Sequence, residues 1–249
     1  MASVTGRIKQ IKQPPGGYLK PSKFEKENFT DGEILKAENI HATLIGLAVD
    51  YLTRLTLGIS KQNVFKASLL GANNVNEQDK AYDLFESING LDGFSIYSAC
   101  KLVGYDACYR VGPSGYKNVD EIEADQDTID NIRVMVHRSM SFFDRYGPIT
   151  KAGFTLEGGY TDIINAGDGD FLTADTLWDF KVSKKNPTPD QTLQLLIYYI
   201  MGTHSNQAEF QSIQKIGIFN PRMNCVYLKC ISDIPQLTIN EVSRDVIGY

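Results

Sequence analysis

The sequence predicts an α/β (α+β) domain: a central mixed β-sheet flanked by helices, with a helical part ahead of it in the chain. Three observations carry this. Helical apolar spacing dominates residues 31 to 146. A β-branched, aromatic and glycine-punctuated texture replaces it from about residue 149. One helix-period stretch then separates that segment from a second pair of strands, an order that suits helices packed on a sheet.

Residues 1 to 30 are rich in Lys, Pro and Gly and read as an arm, with "PPGGY" a turn. From about Asp31 to Gly58, His41, Leu44, Ala48, Tyr51 and Leu55 recur at helical steps, and Gly58 is a plausible stop. Residues 61 to 91 continue as helix, broken at "GANN". Residues 92 to 118 are rich in Gly, Tyr and Ser and fit either a short strand pair or a helix and loop. Ile122, Ile129, Ile132, Val136 and Met140 mark a helix that "YGP" ends, since proline cannot continue the hydrogen-bond ladder.

The stretch "ITKAGFTLEGGYTDIINAGDGDFLTADTLWDFKVS" reads as two or three strands, with "NAGDGD" the clearest turn. A helix follows over "QTLQLLIYYIMG". Thr188 is its N-cap, Pro189 its first residue, Gln191 the partner in a capping box, and Gly202 its stop. "IQKIGIFNPRMNCVYLKCI" gives two strands around "NPRMN", and "TINEVSRDVIGY" a last short helix. The expected organisation is an arm over 1–30 and one domain over 31–249, helical to about 148, with its core at about 149–235.

Length permits this. A chain of 249 residues buries a sizeable core without staples. The formal net charge is -5, so a polyanion partner must meet a local basic patch rather than a global field. Cys100, Cys108, Cys225 and Cys230 have neither zinc-site nor disulfide-framework spacing, which fits reduced thiols. The basic N-terminus lacks an apolar core of the secretory kind, and no apolar run is long enough for a bilayer. A cytoplasmic protein with no membrane partner is expected.

The chemistry lies in "LWDFKVS". On a strand Leu177, Asp179 and Lys181 share one face, and Trp178, Phe180 and Val182 the other. The aromatic face can pack on a helix. The charged face must open on a cleft or bear a desolvation penalty of several kcal/mol per ion. Upstream, "GGYTDIIN" reads as a strand carrying Asp162. A hairpin around "NAGDGDFLTAD" would bring Asp162 beside Asp179. Two carboxylates and a lysine on adjacent strands suit Mg²⁺ or Mn²⁺, a lysine beside them activating water or stabilising a phosphate. If the register differs, Asp170 takes the place of Asp162. The plainer alternative is a simple Asp179–Lys181 ion pair worth under about 1 kcal/mol.

These residues resemble the PD-(D/E)XK nuclease superfamily. "GGYTDII" is followed by "DFK", and then "QLLIY" is similar to the Q-x-x-x-Y helix motif of its RecB-like and lambda-exonuclease-like branches. "AENIHATLIG" resembles the helix that supplies a histidine ligand in the RecB-like branch. The resemblance covers about residues 153 to 231 and the helix near His41; residues 61 to 145 have no counterpart. It implies a restriction-endonuclease-like core and hydrolysis of DNA phosphodiesters, exonucleolytic or end-processing, with RNA the alternative polymer. A phage or mobile-element recombination protein, or a defence nuclease, is the implied setting, with a homo-oligomer an open option. It further implies metal ligation by Asp162, Asp179, the Phe180 carbonyl and His41 (or Glu38). Lys181 would activate water, and Gln194 and Tyr198 would orient lysine, water or phosphate. Lys184, Lys185 and Arg222 are candidate phosphate contacts. The rival expectation is a non-catalytic binding protein on the same fold.

Overall fold

A computed structural model describes residues 2–249. In chain order its elements are β1 (Ala2–Ser3), α1 (Val4–Gln10), β2 (Glu25–Asn28), α2 (Ala42–Thr56), α3 (Lys61–Val64), α4 (Lys66–Asn73), α5 (Gln78–Glu86), α6 (Gly93–Leu102), α7 (Asp106–Val111) and α8 (Gln126–Tyr146). They are followed by β3 (Lys151–Thr155), β4 (Ile164–Ala166), β5 (Asp168–Leu172), β6 (Thr176–Phe180), α9 (Pro189–His204), β7 (Lys215–Asn220), β8 (Cys225–Cys230) and α10 (Gln236–Glu241). The chain folds into two compact units. A sheet unit comprises the residues up to Phe29 together with Phe142–Tyr249, and a helical unit comprises Thr30–Ser141. Among the described residues, no helix is long and apolar enough to cross a membrane.

The sheet unit is built on six strands in the order β2-β8-β7-β6-β5-β3. The β6–β7 pair is parallel and the other neighbours are antiparallel, so the sheet is mixed, as expected. A parallel pair needs a long crossover, and α9 lies within it. Strand alternation sorts the core. Leu172, Leu177, Ile216 and Ile218 join Leu193, Leu196, Ile197, Ile200 and Met201 of α9 in one cluster. Phe171, Trp178, Phe219 and Val226 form a second cluster around Phe142, from the last turn of α8. The Phe142 ring stacks on Phe219 with centroids 4.2 Å apart and meets Trp178 edge-on at 4.9 Å.

α9 follows the capping signals. Thr188 accepts from the Gln191 amide, and the Gln191 side chain accepts from the Thr188 amide. Gly202 does not stop the helix, which runs on to His204. Gly202 is a packing position instead: a Cβ there would lie 2.0 Å from the Phe210 ring.

The hairpin differs from expectation. The last three residues of "GDGD", Asp168 to Asp170, lie on β5, and the turn falls at Thr173–Thr176, where the Thr173 amide donates to the Thr176 carbonyl over 2.9 Å. The segment holding Asp162 is not a strand of the six-stranded sheet. Thr161 Oγ1 accepts from the Ile163 and Ile164 amides, closing a turn there, and only Ile164–Ala166 is strand, paired in parallel with β1. Within residues 2 to 29, α1 packs with α9, and β2 forms an edge of the sheet.

The helical unit centres on buried Tyr51, Leu52, Phe65, Phe85, Ile96, Leu102 and Tyr105. The stretch left open at 92 to 118 is mainly helical: Asp92 caps α6 by accepting from the Phe94 and Ser95 amides. The helix expected from Asp31 starts at Ala42. Residues 36 to 39 are instead irregular and held by side chains of α8. The Lys36 amide donates to Asn131 Oδ1, and the Asn39 amide to Thr128 Oγ1, both over 3.0 Å.

Candidate functional site

β6 presents two chemically different faces. Leu177 faces the α9 cluster and Trp178 the Phe142 cluster, so Asp179, one residue on, returns to the α9 side. It is 3% exposed. Phe171 of β5 pairs with Trp178. One residue further out, that register sets Asp170 across from Asp179. Asp170 Oδ2 accepts from the Phe180 amide over 2.6 Å, which ties the Asp170 carboxylate to the end of β6. Gly153 of β3 is in register with Asp170 by the same counting, and a Cβ on it would meet open space. The acidic end of the sheet is therefore accessible on the β3 side.

Lys181 leaves the end of β6. Its Nζ donates to Asp179 Oδ1 over 2.9 Å, and it also lies 2.9 Å from Oδ2. Oδ2 is nevertheless buried without a hydrogen bond, because that approach is badly directed. Burial pushes the Asp179 carboxyl upward, and Lys181 offsets only part of this. Burial also works against the charged lysine, but Asp179 and then Asp170 attract it more strongly, so its pKa is raised.

α9 supplies the other wall. Gln194 and Tyr198 are one turn apart, and Gln194 Nε2 donates to the Tyr198 hydroxyl over 2.9 Å. Burial raises the Tyr198 pKa; the Gln194 bond opposes this, and the carboxylates of Asp179, Asp168 and Asp170 add to it. The phenol is thus a neutral group within the field of the acids.

The structure brings together Asp179, Phe180, Lys181, Gln194 and Tyr198 in the sheet unit. It does not bring Asp162 with them. Asp162 is exposed, at the tip of the Thr161 turn. Asp170, the residue of the alternative register, stands beside Asp179. His41 belongs to the helical unit, where it is the exposed N-cap of α2: its Nδ1 accepts from the Thr43 amide over 3.2 Å. Glu38 lies ahead of that helix and accepts from Asn131 Nδ2. Asp175 is a turn residue paired with Lys215 at 2.9 Å.

One residue of this region was not singled out from sequence. Asn220 ends β7 beside Lys181, 2% exposed, with its amide bonded to Ser183 and to the β7–β8 turn. The signal for it was the "NP" that opens the turn, which marks geometry rather than chemistry.

Among the described residues, no group of three or more His, Cys, Asp or Glu side chains is gathered as a metal site. The pair Asp170 and Asp179 fits a hard divalent cation on a different ground. It offers two carboxylates on adjacent strands, one with a buried oxygen that no hydrogen bond satisfies. A cation of the Mg²⁺ class takes only one or two carboxylates from protein and keeps water in its other positions. Compared with protein-family models, curated proteins and solved structures, the chain matches none.

Proposed function

We propose that this chain is a nuclease of the PD-(D/E)XK type that hydrolyses DNA phosphodiesters. The observation that carries the reading is the juxtaposition at the end of β6. Asp170 lies across from Asp179, and Lys181 Nζ lies 2.9 Å from a carboxylate that keeps one buried oxygen unbonded. Asp170 takes the role that sequence had assigned to Asp162, as the first carboxylate of the motif.

In this reading Asp170 and Asp179, joined by the Phe180 carbonyl, would hold Mg²⁺ or Mn²⁺. The ion, when bound, supplies Lewis-acid charge that lowers the pKa of water and neutralises a phosphate. Lys181 is the cationic donor: with a cation held by the acid pair, its ammonium would be available to hold a water or a phosphate oxygen. Tyr198 remains protonated in the field of three acids and so acts as a donor, with Gln194 fixing its hydroxyl. Lys184 and Lys185 lie in the segment that leaves β6 and would meet the backbone of the polymer by charge, whereas Arg222 is 9% exposed in the β7–β8 turn. The restriction-endonuclease-like core, the DNA partner and the exonucleolytic or end-processing role are parts of the same proposal.

The test is cleavage of linear and circular DNA with Mg²⁺ and Mn²⁺, run beside Lys181→Ala. The expected result is cleavage by the wild type and a rate about two to three orders of magnitude lower in the variant. Equal rates would remove Lys181 from the chemistry. DNA that binds but stays intact with both ions would instead favour a non-catalytic binding module on this fold.

A further inference from the structure

The sheet ladder between β6 and β7 ends where the chemistry begins. Phe180 pairs with Phe219, and the Lys181 amide donates to the Phe219 carbonyl over 2.9 Å. The next rung is made by a side chain. Asn220 Nδ2 donates to the Ser183 carbonyl over 2.8 Å, and Asn220 Oδ1 accepts the Ser183 amide over 3.4 Å. The same Oδ1 accepts from the Arg222 and Met223 amides at 3.1 and 3.2 Å. Ile216 and Ile218 face α9, so alternation puts Asn220 on that face, the face of Asp179.

A buried amide, which offers donors and an acceptor on separate atoms, can copy both halves of a backbone rung. Asn220 does this for the segment that carries Lys181 out of the sheet. It also closes the turn that carries Arg222. A single amide therefore holds both the segment after Lys181 and the β7–β8 turn. Along that segment it is the hydrogen-bond partner nearest to Lys181 after the Phe219 rung; further on, Asn186 accepts from the Tyr227 hydroxyl over 2.7 Å.

We propose that Asn220 is a positioning residue: by bridging Ser183 to the β7–β8 turn, it fixes the course of the chain after Lys181 and with it the direction of the Lys181 ammonium. This rests on the nuclease reading for its consequence, though not for its geometry. Displacement of a reacting group by about 1 Å lowers a rate by about a hundredfold.

Two variants separate the functions of the amide. Asn220→Asp keeps an acceptor for the turn but cannot donate to the Ser183 carbonyl. Asn220→Ser keeps a hydroxyl that accepts from the turn amides but does not span to Ser183. Each is compared with the wild type by the rate at which an acylating reagent modifies Lys181, mapped by mass spectrometry, with Lys151 and Lys215 as internal references. The expected result is a rise in Lys181 modification of about threefold or more, with the reference lysines unchanged. Single-turnover DNA cleavage with Mn²⁺ is expected to fall about tenfold or more, and Mn²⁺ binding by calorimetry to stay as in the wild type. Unchanged Lys181 modification in either folded variant overturns the proposal. A raised modification rate in a protein whose wild type leaves DNA intact upholds the positioning and sinks the nuclease reading instead.

Discussion

Asp179 carries the main imbalance at the residue scale. A buried carboxylate with one oxygen unbonded bears a penalty of order 1–3 kcal/mol or more for that atom. Lys181, bonded to the other oxygen and 2.9 Å from this one, offsets part of it. In the proposed nuclease, a cation held between Asp179 and Asp170 would remove the remainder. Asp170→Ala should therefore abolish calorimetric Mn²⁺ binding, whereas Asp162→Ala should bind as the wild type does. Retained binding in Asp170→Ala, or its loss in Asp162→Ala, would restore the first register. This distinction was half legible in the sequence. Alternation of Leu177, Trp178 and Asp179 gave the faces of β6 correctly, because strand period is a property of the backbone. The identity of the opposing acid depends on where the turn falls. "NAGDGD" and "LTADT" both carry turn residues, and only packing separates them: Phe171 must enter the Phe142 cluster and Leu172 the α9 cluster.

The same contrast appears in the elements. α9 could be read from its capping box and period, since both signals are local and the structure contains both. The helix start expected at Asp31 was not borne out: the apolar steps themselves begin only at His41, the N-cap of α2, and what holds the residues before it is distant in sequence. α8 takes the backbone groups of Lys36 and Asn39 with side chains of Asn131 and Thr128, a contact about ninety residues distant in sequence. Gly202 was misread for a related reason. A glycine near a helix end suggests termination, but this one leaves room for Phe210, which is 1% exposed and cannot withdraw. Gly202→Ala would gain about 1 kcal/mol of helix propensity. Its Cβ, 2.0 Å from the ring, would force a core displacement that costs about 1–3 kcal/mol. The clash is severe enough to place the cost at the upper end. Net destabilisation of about 1–2 kcal/mol is expected, read as a lower midpoint in urea at unchanged slope. A higher midpoint would mean that Phe210 is free to move.

At the scale of the whole molecule, stability follows from how each unit treats its buried acids. The helical unit encloses Asp106, which is 1% exposed. It accepts from Tyr51 of α2 over 2.6 Å and from Ser68 of α4 over 2.5 Å, with Arg110 of its own helix 3.9 Å away. Burial raises its pKa, and the hydrogen bonds from Ser68 and Tyr51 and the charge of Arg110 offset only part of that. The folded chain then binds the Asp106 proton more tightly than the unfolded chain, whose aspartates titrate near 4. Under linkage, such a group favours the folded state below the unfolded value, and its contribution declines as pH rises from there to the folded pKa. Acids held by ion pairs have the opposite sign. Asp31 is lowered, first by its hydrogen bond from Arg138, and Asp175 first by that from Lys215; both stabilise above about pH 4 and lose this as pH falls. These losses lie at the acid end, below the window in which Asp106 acts. Above about pH 4 the two classes are thus separable by one substitution. Asp106→Asn keeps an acceptor for Tyr51 or Ser68 but removes the titration. The melting temperature of the full chain should decline with pH across that window more steeply in the wild type than in Asp106→Asn. Parallel slopes would show that Asp106 keeps an ordinary carboxylate pKa despite its burial, and that the Tyr51 and Ser68 hydroxyls, with Arg110, fully replace its lost hydration.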